Sequence, residues 1–457
     1  MFSIGVAAML RRSLWFIIVL FSFSLIFYYG CRTAEPTVPV EYNPAVSDTL
    51  KLQAVDSTLN SIKLRLTSSS REAGSRKVRL YRMANDTTSP GTLLSEYPIG
   101  NKDTVILDNN AGAGLLMGSG YKYRAMIVDK LKGKEYLRQE VTARTLSLTG
   151  DDYSWTEYTF GEFQSGLEAV WAVNENDVYA FGFIVKDGQT YGGLHFNGSK
   201  WELIKDAGGY SVFGFSANDV WAAGGGLFHY DGNKWTGLGE RVEGDHVVPI
   251  DSVIFTHGAY LAIWGTSSSN LYLGDTRGYI VHWDGKKAHM EDIKASVPIC
   301  DMWGVSANEI YAAAGSYVAG IGELFRFDGQ KWTMIKKGVV YPGPGELKEP
   351  FMTVWTYNGE EIITAGNYVA RGTAGDSWKE GGIGFFVNRI RGDKPNNIFA
   401  SGDFGNIAHF NGKQWTMLNA GISTNASIVG MFVKDDYVYD VGYDGYKAYI
   451  YHGKRKK

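Results

Sequence analysis

VFGFSANDVWAAGGGLFHYDGNKW, residues 212–235, is written in variant form seven times between Ala169 and the C-terminus. Its centre, Ser216-Ala217-Asn218-Asp219-Val220-Trp221-Ala222, aligns without gaps with Ser306-Ala307-Asn308-Glu309-Ile310-Tyr311-Ala312. Asn174-Glu175-Asn176-Asp177-Val178-Tyr179-Ala180 and Lys394-Pro395-Asn396-Asn397-Ile398-Phe399-Ala400 repeat the same turn and strand. Ser268-Ser269-Asn270-Leu271-Tyr272 is a weaker copy, and Asn358–Ile363 and Lys434–Tyr439 are degenerate ones. From Asp177 to Asp436 six intervals give a mean period of about 43 residues, the range of an array of like units.

One unit is readable in physical terms. Apolar and aromatic residues alternate with small ones, as in strands packed on both faces. Asn-Asp and Asp-Gly pairs supply turns, because Gly, Asn and Asp tolerate the positive φ of tight hairpins. A second turn recurs as Asn197-Gly198, Asp231-Gly232, Asp284-Gly285, Asp328-Gly329 and Asn411-Gly412. A Trp follows most of these turns: Trp201, Trp235, Trp332 and Trp415. Each unit therefore reads as four antiparallel strands with an aromatic opening the fourth. Such units are blades of a β-propeller, and seven copies predict a seven-bladed ring over residues 151–457. The seventh copy stops after its third strand, at Tyr449–Lys454, while Tyr153–Tyr158 looks like a Trp strand without a blade. Residues 153–160 are thus expected to complete the last blade and close the ring, which also shields sheet edges. Composition fits an all-β chain: 57 Gly, 11 Pro and 14% aromatic residues.

Before the repeats, residues 48–147 form a block with strand alternation, as in Ser61–Thr67 and Lys77–Arg82. Six or seven half-buried strands in about 100 residues indicate a β-sandwich. Tyr121-Lys122-Tyr123-Arg124-Ala125 and Val141-Thr142-Ala143-Arg144-Thr145 resemble the closing strands of a fibronectin type III domain, although that family's early Trp is absent. A generic immunoglobulin-like sandwich also fits. The resemblance implies a spacer or adhesion module.

At the N-terminus, Arg11 and Arg12 precede the apolar run Ser13–Phe27, then Gly30-Cys31 and a polar stretch with Pro36, Pro39 and Pro44. This is the layout of a secretory signal over residues 1–30, followed by a tether over 31–47. Gly30-Cys31 resembles the bacterial lipobox, whose Cys is acylated; Tyr28 and Tyr29 depart from it. The alternative is an uncleaved membrane anchor. Either way the chain is expected outside the cytoplasm, tethered to a membrane of the bacterial envelope, periplasmic or at the surface. Cys300, the other cysteine, has no disulfide partner and is read as a buried apolar residue on an inner strand.

The net charge of −3 gives no nucleic-acid footprint. The Ser216–Gly224 core, S-x-N-D-V-[WY]-A-x-G, resembles repeats of secreted bacterial propeller proteins, including relatives of the photosystem II assembly-factor and Asp-box families. That resemblance implies fold far more than function. The sialidase Asp-box, S-x-D-x-G-x-x-W, is not matched, and Arg277, Arg371, Arg389 and Arg391 are scattered. No GxSxG, P-loop, HExxH or Asp-x-Asp motif is present, and no cofactor is implied. His195, His229, His282 and His409 share one strand position, with Arg326 in the same slot of the fourth copy. They are read as repeated structural hydrogen bonds, with the Asn-Asp turn of the same unit as candidate partner, and not as metal ligands. Isolated Asp-Gly turns lack the oxygens calcium needs. Arg391-Gly392-Asp393 spells an integrin tripeptide by chance, on a hairpin.

Irregularities fall at Phe183–Gly192, Gly237–Gly258, Ser316–Gly322 and Lys336–Pro350. Insertions in repeat proteins map to loops, often on the binding face. Tyr191, Arg241, His246, Tyr317, Tyr341 and Trp378 are the candidate contacts there. The sequence therefore predicts an exported, membrane-tethered protein that binds or scaffolds a protein or glycan partner. The alternative is a carbohydrate-active enzyme, sialidase-like or another glycosidase, on the loop-bearing face.

Overall fold

The computed structural model describes residues 48–456 apart from 71–72, 84–90, 239, 244–245, 250–257, 349–350, 376 and 419–424. For 101–102, 240–243 and 246–249 it describes the backbone alone. The expected signal segment 1–30, Cys31 and the tether 31–47 lie outside the described residues. The described chain is all-β, several small antiparallel sheets with two short 3-10 turns, Asn110–Gly112 and Asp403–Gly405, and no α-helix. Among the described residues no helix is long and apolar enough to cross a membrane.

The chain divides into two compact units, Met1–Thr145 and Leu146–Lys457. The first holds two sheets. One has three strands, Thr49–Ser57, Ile62–Ser69 and Gly100–Asp108, with Ile62–Ser69 central. The other has four, in the order Thr92–Pro98, Arg76–Met83, Gly120–Asp129 and Glu135–Arg144. The period-2 pattern delivers Ile62, Leu64, Leu66, Val78, Leu80, Tyr123, Ala125 and Ile127 to one shared core. Tyr123 carries a hydroxyl into that core, and it donates to Asp108 Oδ2 at 2.9 Å. Arg82 Nη1 binds the same carboxylate at 2.9 and 3.1 Å, so the buried polar groups satisfy one another.

The second unit holds seven four-stranded sheets, numbered here one to seven by their first strands. These are Gly166–Asn174, Ser211–Ser216, Tyr260–Ser267, Ile299–Ser306, Thr353–Thr356, Val387–Lys394 and Ser427–Lys434. In sheets one to six, strands follow one another in chain order, each antiparallel to the last. Sheet four adds a two-residue parallel strand, Leu347–Lys348. Sheet seven takes its fourth strand from the opposite end of the unit: Tyr153–Phe160 pairs antiparallel with Ala448–Arg455, from Tyr153↔Arg455 to Phe160↔Ala448. Each first strand packs beside the first strand of the next sheet, and that of sheet seven packs beside that of sheet one.

The repeated residues explain these contacts. In the second turn of every sheet but the fifth, the Asn or Asp side-chain oxygen accepts the amides two and three residues on, at 2.9 Å for both at Asp231 and at 2.8 and 2.7 Å at Asp284. The following glycine adopts φ 91° at Gly232, and a Cβ there would meet Asn218 of the first turn at 2.4 Å. The Asn of the S-x-N-D turn and the Gly of the Asp-Gly turn are therefore conserved neighbours within this chain, paired again as Asn308 and Gly329. Aromatic residues join one sheet to the next: Trp235 meets Phe181 edge-on at 5.2 Å, Trp332 meets Tyr272 at 6.2 Å, and Trp201 meets Tyr439 at 6.4 Å.

The unit starts a little before the expected residue 151. Asn396 Nδ2 donates to the Ser147 carbonyl at 2.6 Å, and Asp151 accepts from Asn411 and Thr416 of sheet six, both at 3.1 Å. Residues 147–151 are thus fastened along sheet six before the chain enters sheet seven.

Candidate functional site

In a four-stranded antiparallel sheet, the connections from strand two to three and from strand four to the next sheet leave by the same edge. Most of the large exposed apolar residues described in the second unit lie there, while Met290, Met334 and Met417 lie on fourth strands and Leu148 precedes the first strand. Tyr317, Val318, Phe404 and Tyr446 lie on two-to-three connections and Phe183 in the far half of a second strand; Phe163, Tyr210, Val340 and Tyr341 lie on four-to-one connections. Of the exposed large apolar side chains, the turns at the opposite edge carry only Tyr357 among the described residues. Asp- and Asn-based turns occupy that edge instead.

The expected contact residues divide accordingly. Tyr341 is 91% and Tyr317 69% exposed, and Tyr317 meets Phe386 edge-on at 5.6 Å. Their segments adjoin, since Val340 closes over Gly320 of the Tyr317 turn. Trp378 differs from expectation: its indole lies against Gly372, where a Cβ would sit 2.3 Å from the ring, and packs on the core of sheets four and five. Trp378 is the half-buried Trp that precedes the fourth strand of sheet five. Tyr191 pairs with Ile184 in an extended hairpin and packs against the Leu167 cluster, so what reads as an inserted loop is mostly strand. Arg241 and His246 lie on a separate two-stranded hairpin, Glu240–Glu243 with His246–Pro249, and their side chains lie outside the described residues.

A second locus lies among the first strands. A cavity of about 270 Å³ is lined by first-strand residues of six sheets. Trp171, Phe213, Trp264, Trp303 and Phe432 give it aromatic walls; Glu168, Asp301, Arg389 and Arg391 give it charge. The indoles are held by glycines of the next sheet: a Cβ at Gly214 would meet Trp171 at 2.6 Å, and one at Gly304 would meet Trp264 at 2.6 Å.

Asp301 is fully buried and saturated. Arg391 grips it with both terminal nitrogens, at 2.8 and 2.6 Å, and Arg389 Nη1 stands 2.7 Å from Oδ1. Thr353 Oγ1 and the Val354 amide donate at 2.7 and 3.0 Å. Burial pushes the carboxyl up, but the two guanidinium groups and these donors outweigh it and hold Asp301 down at about 2. Arg389 is itself lowered by burial, with Asp301 opposing. Glu168 is different. It is the extra residue of a β-bulge, since its neighbours Leu167 and Ala169 pair with adjacent Gly182 and Phe181. Its carboxylate makes no hydrogen bond to a described residue, and burial raises its pKa against the pull of Arg389. Cys300 occupies the equivalent bulge of sheet four; its thiol donates to the Gly315 carbonyl at 3.2 Å, and burial pushes it up to about 11. A nucleophilic role does not suit such a thiol.

This cluster was not singled out from the sequence, but a signal exists. Aligned on their turns, the first strands carry Trp171, Phe213, Trp264, Trp303, Trp355 and Arg391 in one column, and Phe432 of the seventh copy, whose turn is one residue shorter, pairs with Tyr439 as Trp171 pairs with Tyr179. Arg391 replaces an aromatic. Two residues earlier the column reads Ala169, Ser211, Ala262, Asp301, Thr353, Arg389 and Gly430, so its charged members fall on sheets that are near neighbours. Of the four scattered arginines, Arg389 and Arg391 meet here. Arg371 instead covers Phe410 at 4.2 Å. The Arg391-Gly392-Asp393 tripeptide is not displayed, because Arg391 is committed to Asp301 and Gly392 lies against Trp355.

The histidine column is structural. His195 meets Asp177 at 2.8 Å, His229 meets Asp219 at 2.9 Å, His282 meets Asn270 at 2.8 Å and His409 meets Asn397 at 3.1 Å, each within its own sheet. Each ring also lies on the aromatic of the second strand, as His229 does on Trp221 at 4.2 Å. His452 is a further member, stacked on Tyr439 at 4.4 Å and 3.3 Å from Glu175 of sheet one. Among the described residues no group of three or more His, Cys, Asp or Glu could hold a metal ion.

No family model matches this chain, and no curated protein matches it.

Proposed function

We propose that this chain is an exported binding protein of the bacterial envelope, in which a seven-bladed β-propeller presents one face to a protein or glycan partner. The cyclic succession of first-strand contacts supports the ring, as does the completion of sheet seven by Tyr153–Phe160. The three- and four-stranded sheets of the first unit, with the Tyr121–Ala125 strand, support a fibronectin type III-like spacer. Arg11, Arg12, the apolar run and Gly30-Cys31 support export and tethering through an acylated Cys31 or the apolar segment itself.

The observation that carries the recognition role is the uneven distribution of exposed aromatic and aliphatic residues, gathered on two-to-three and four-to-one connections. Scattered exposed apolar residues need no explanation, whereas their concentration on one face marks an interaction surface. Replacing both Tyr317 and Tyr341 by Ala in the full chain should abolish capture of glycans on an array or of envelope proteins by pull-down. Thermal stability should be unchanged, since both side chains are largely exposed. Undiminished capture by that variant would remove the reading. Palmitate labelling of the wild type, absent in Cys31→Ala, would support the lipid anchor.

A glycosidase is the second reading. It is favoured by two carboxyl groups in one cavity with opposite tendencies, Glu168 toward protonation and Asp301 toward ionisation. Against it, every acceptor direction of Asp301 is occupied, which leaves no lone pair for a nucleophile or base. Hydrolysis of aryl glycosides, lost in Glu168→Gln, would establish it.

A further inference from the structure

We propose that the cavity among the first strands binds one neutral sugar unit, with Glu168 and Arg389 as its polar anchors and the indole walls as its stacking surface. The inference rests on the ring reading of the seven sheets and is independent of the loop-edge surface.

Size sets the first limit. About 270 Å³ lies near the lower end of small-molecule pockets, so the site takes a single ring and not an oligomer. Lining chemistry sets the second. Trp171, Trp264, Trp303, Phe213 and Phe432 offer flat apolar surface suited to the C–H faces of a pyranose. The Trp171 and Trp264 indoles are fixed against glycines of the adjoining strands, so little rotamer entropy is lost on binding.

The polar groups set the third. Arg389 is mostly buried; its Nε donates to the Val429 carbonyl at 2.9 Å and its Nη1 meets Asp301, while Nη2 bonds no described residue. Glu168 lines the same cavity, and its carboxylate has no donor among the described residues. A free donor beside a free acceptor matches neighbouring hydroxyls, each of which accepts from one group and donates to the other. Charge sets the fourth. Two guanidinium groups face the ionised Asp301 and the Glu168 carboxyl, which Arg389 pulls toward ionisation against burial. A charged ligand would add an uncompensated charge in a desolvated site, at high cost, so a neutral polyol ring is selected over an acidic sugar or a quaternary amine.

The test uses the full chain in mild detergent. Tryptophan fluorescence and calorimetry follow titration with D-glucose, N-acetyl-D-glucosamine, N-acetylneuraminic acid and choline. A neutral sugar should bind with one-to-one stoichiometry. Glu168→Gln and Glu168→Leu should each weaken it at least about tenfold, the loss of one charged hydrogen bond. Both should keep the wild-type melting temperature, because the carboxylate makes no bond to a described residue. Tyr317→Ala with Tyr341→Ala should leave the affinity for the free monosaccharide unchanged, because neither residue lines the cavity, even where capture of larger partners is lost. The proposal is overturned by no binding of either neutral sugar up to about 10 mM. It is equally overturned by tighter binding of N-acetylneuraminic acid or choline, by wild-type affinity in the Glu168 variants, or by loss of sugar binding in the tyrosine variant.

Discussion

Asp301 and Asp440 are both fully buried in the second unit, one in the first strand of sheet four and the other in the second strand of sheet seven. Asp301 is held down at about 2 and Asp440 is pushed up to about 8. Burial acts on both in the same direction. What differs is the company: two arginines, a threonine hydroxyl and a backbone amide surround Asp301, whereas only the Ser401 hydroxyl works against burial at Asp440, and neither of its oxygens makes a hydrogen bond to a described residue. Asp440 also stands where Ala180, Ala222, Ala312 and Ala400 stand in other sheets. The donors around a buried acid, and not its depth, decide whether it is a fastener between sheets or a load on the fold.

The comparison can be broken or sharpened by mutation. The largest effect is expected for Arg391→Ala, which strips the bidentate partner from a buried carboxylate and should cost about 3–5 kcal/mol by urea denaturation. The wild-type contribution of Asp301 has a depressed folded pKa, so it is present above the unfolded carboxyl range. It is lost as pH falls toward about 2, and the variant should lose that acid limb. An unchanged midpoint would mean that the cluster fastens nothing.

Asp440→Ala should act in the opposite sense. A raised folded pKa means the native state binds more protons, so stability falls as pH rises from the unfolded carboxyl range, near 4, to about 8. Removing the acid should therefore stabilise the protein by on the order of 2–4 kcal/mol at pH 7, and by little at pH 4. A variant less stable than wild type at both pH values would contradict this. The smallest effect belongs to Thr353→Val, which removes one donor to Asp301 and the acceptor of the Ile390 amide, at about 1.5–3 kcal/mol. A loss as large as that of Arg391→Ala would shift the weight from charge to the hydroxyl.

What could be read in advance follows locality. The S-x-N-D and Asp-Gly turns are fixed by φ preference and side-chain-to-backbone hydrogen bonds within four residues, and the structure has both. The histidine column was legible because its partner lies in the same unit, one strand away. His452 escaped notice because the seventh copy is degenerate and its partner, Glu175, belongs to sheet one. The kinship of Trp378 with the other Trp strands is hidden because its turn departs from the Asp-Gly pattern that marks them. Asp301, Arg389 and Arg391 gave only a faint signal, charges in otherwise apolar columns, since 90 residues separate Asp301 from Arg391.

The all-β character, the count of seven repeats and the chemistry of the S-x-N-D and Asp-Gly turns could be read from the chain alone, because these rest on periods of two and on contacts a few residues apart. Only the tertiary structure decided which sheets neighbour which, and so which buried charges find partners. It also decided that the bulge at Glu168 faces a cavity walled by indoles from distant copies. The physical reason is that charge pairing and cavity shape depend on how far apart groups lie in space, and spacing along a chain with a repeat of about 43 residues does not encode that distance.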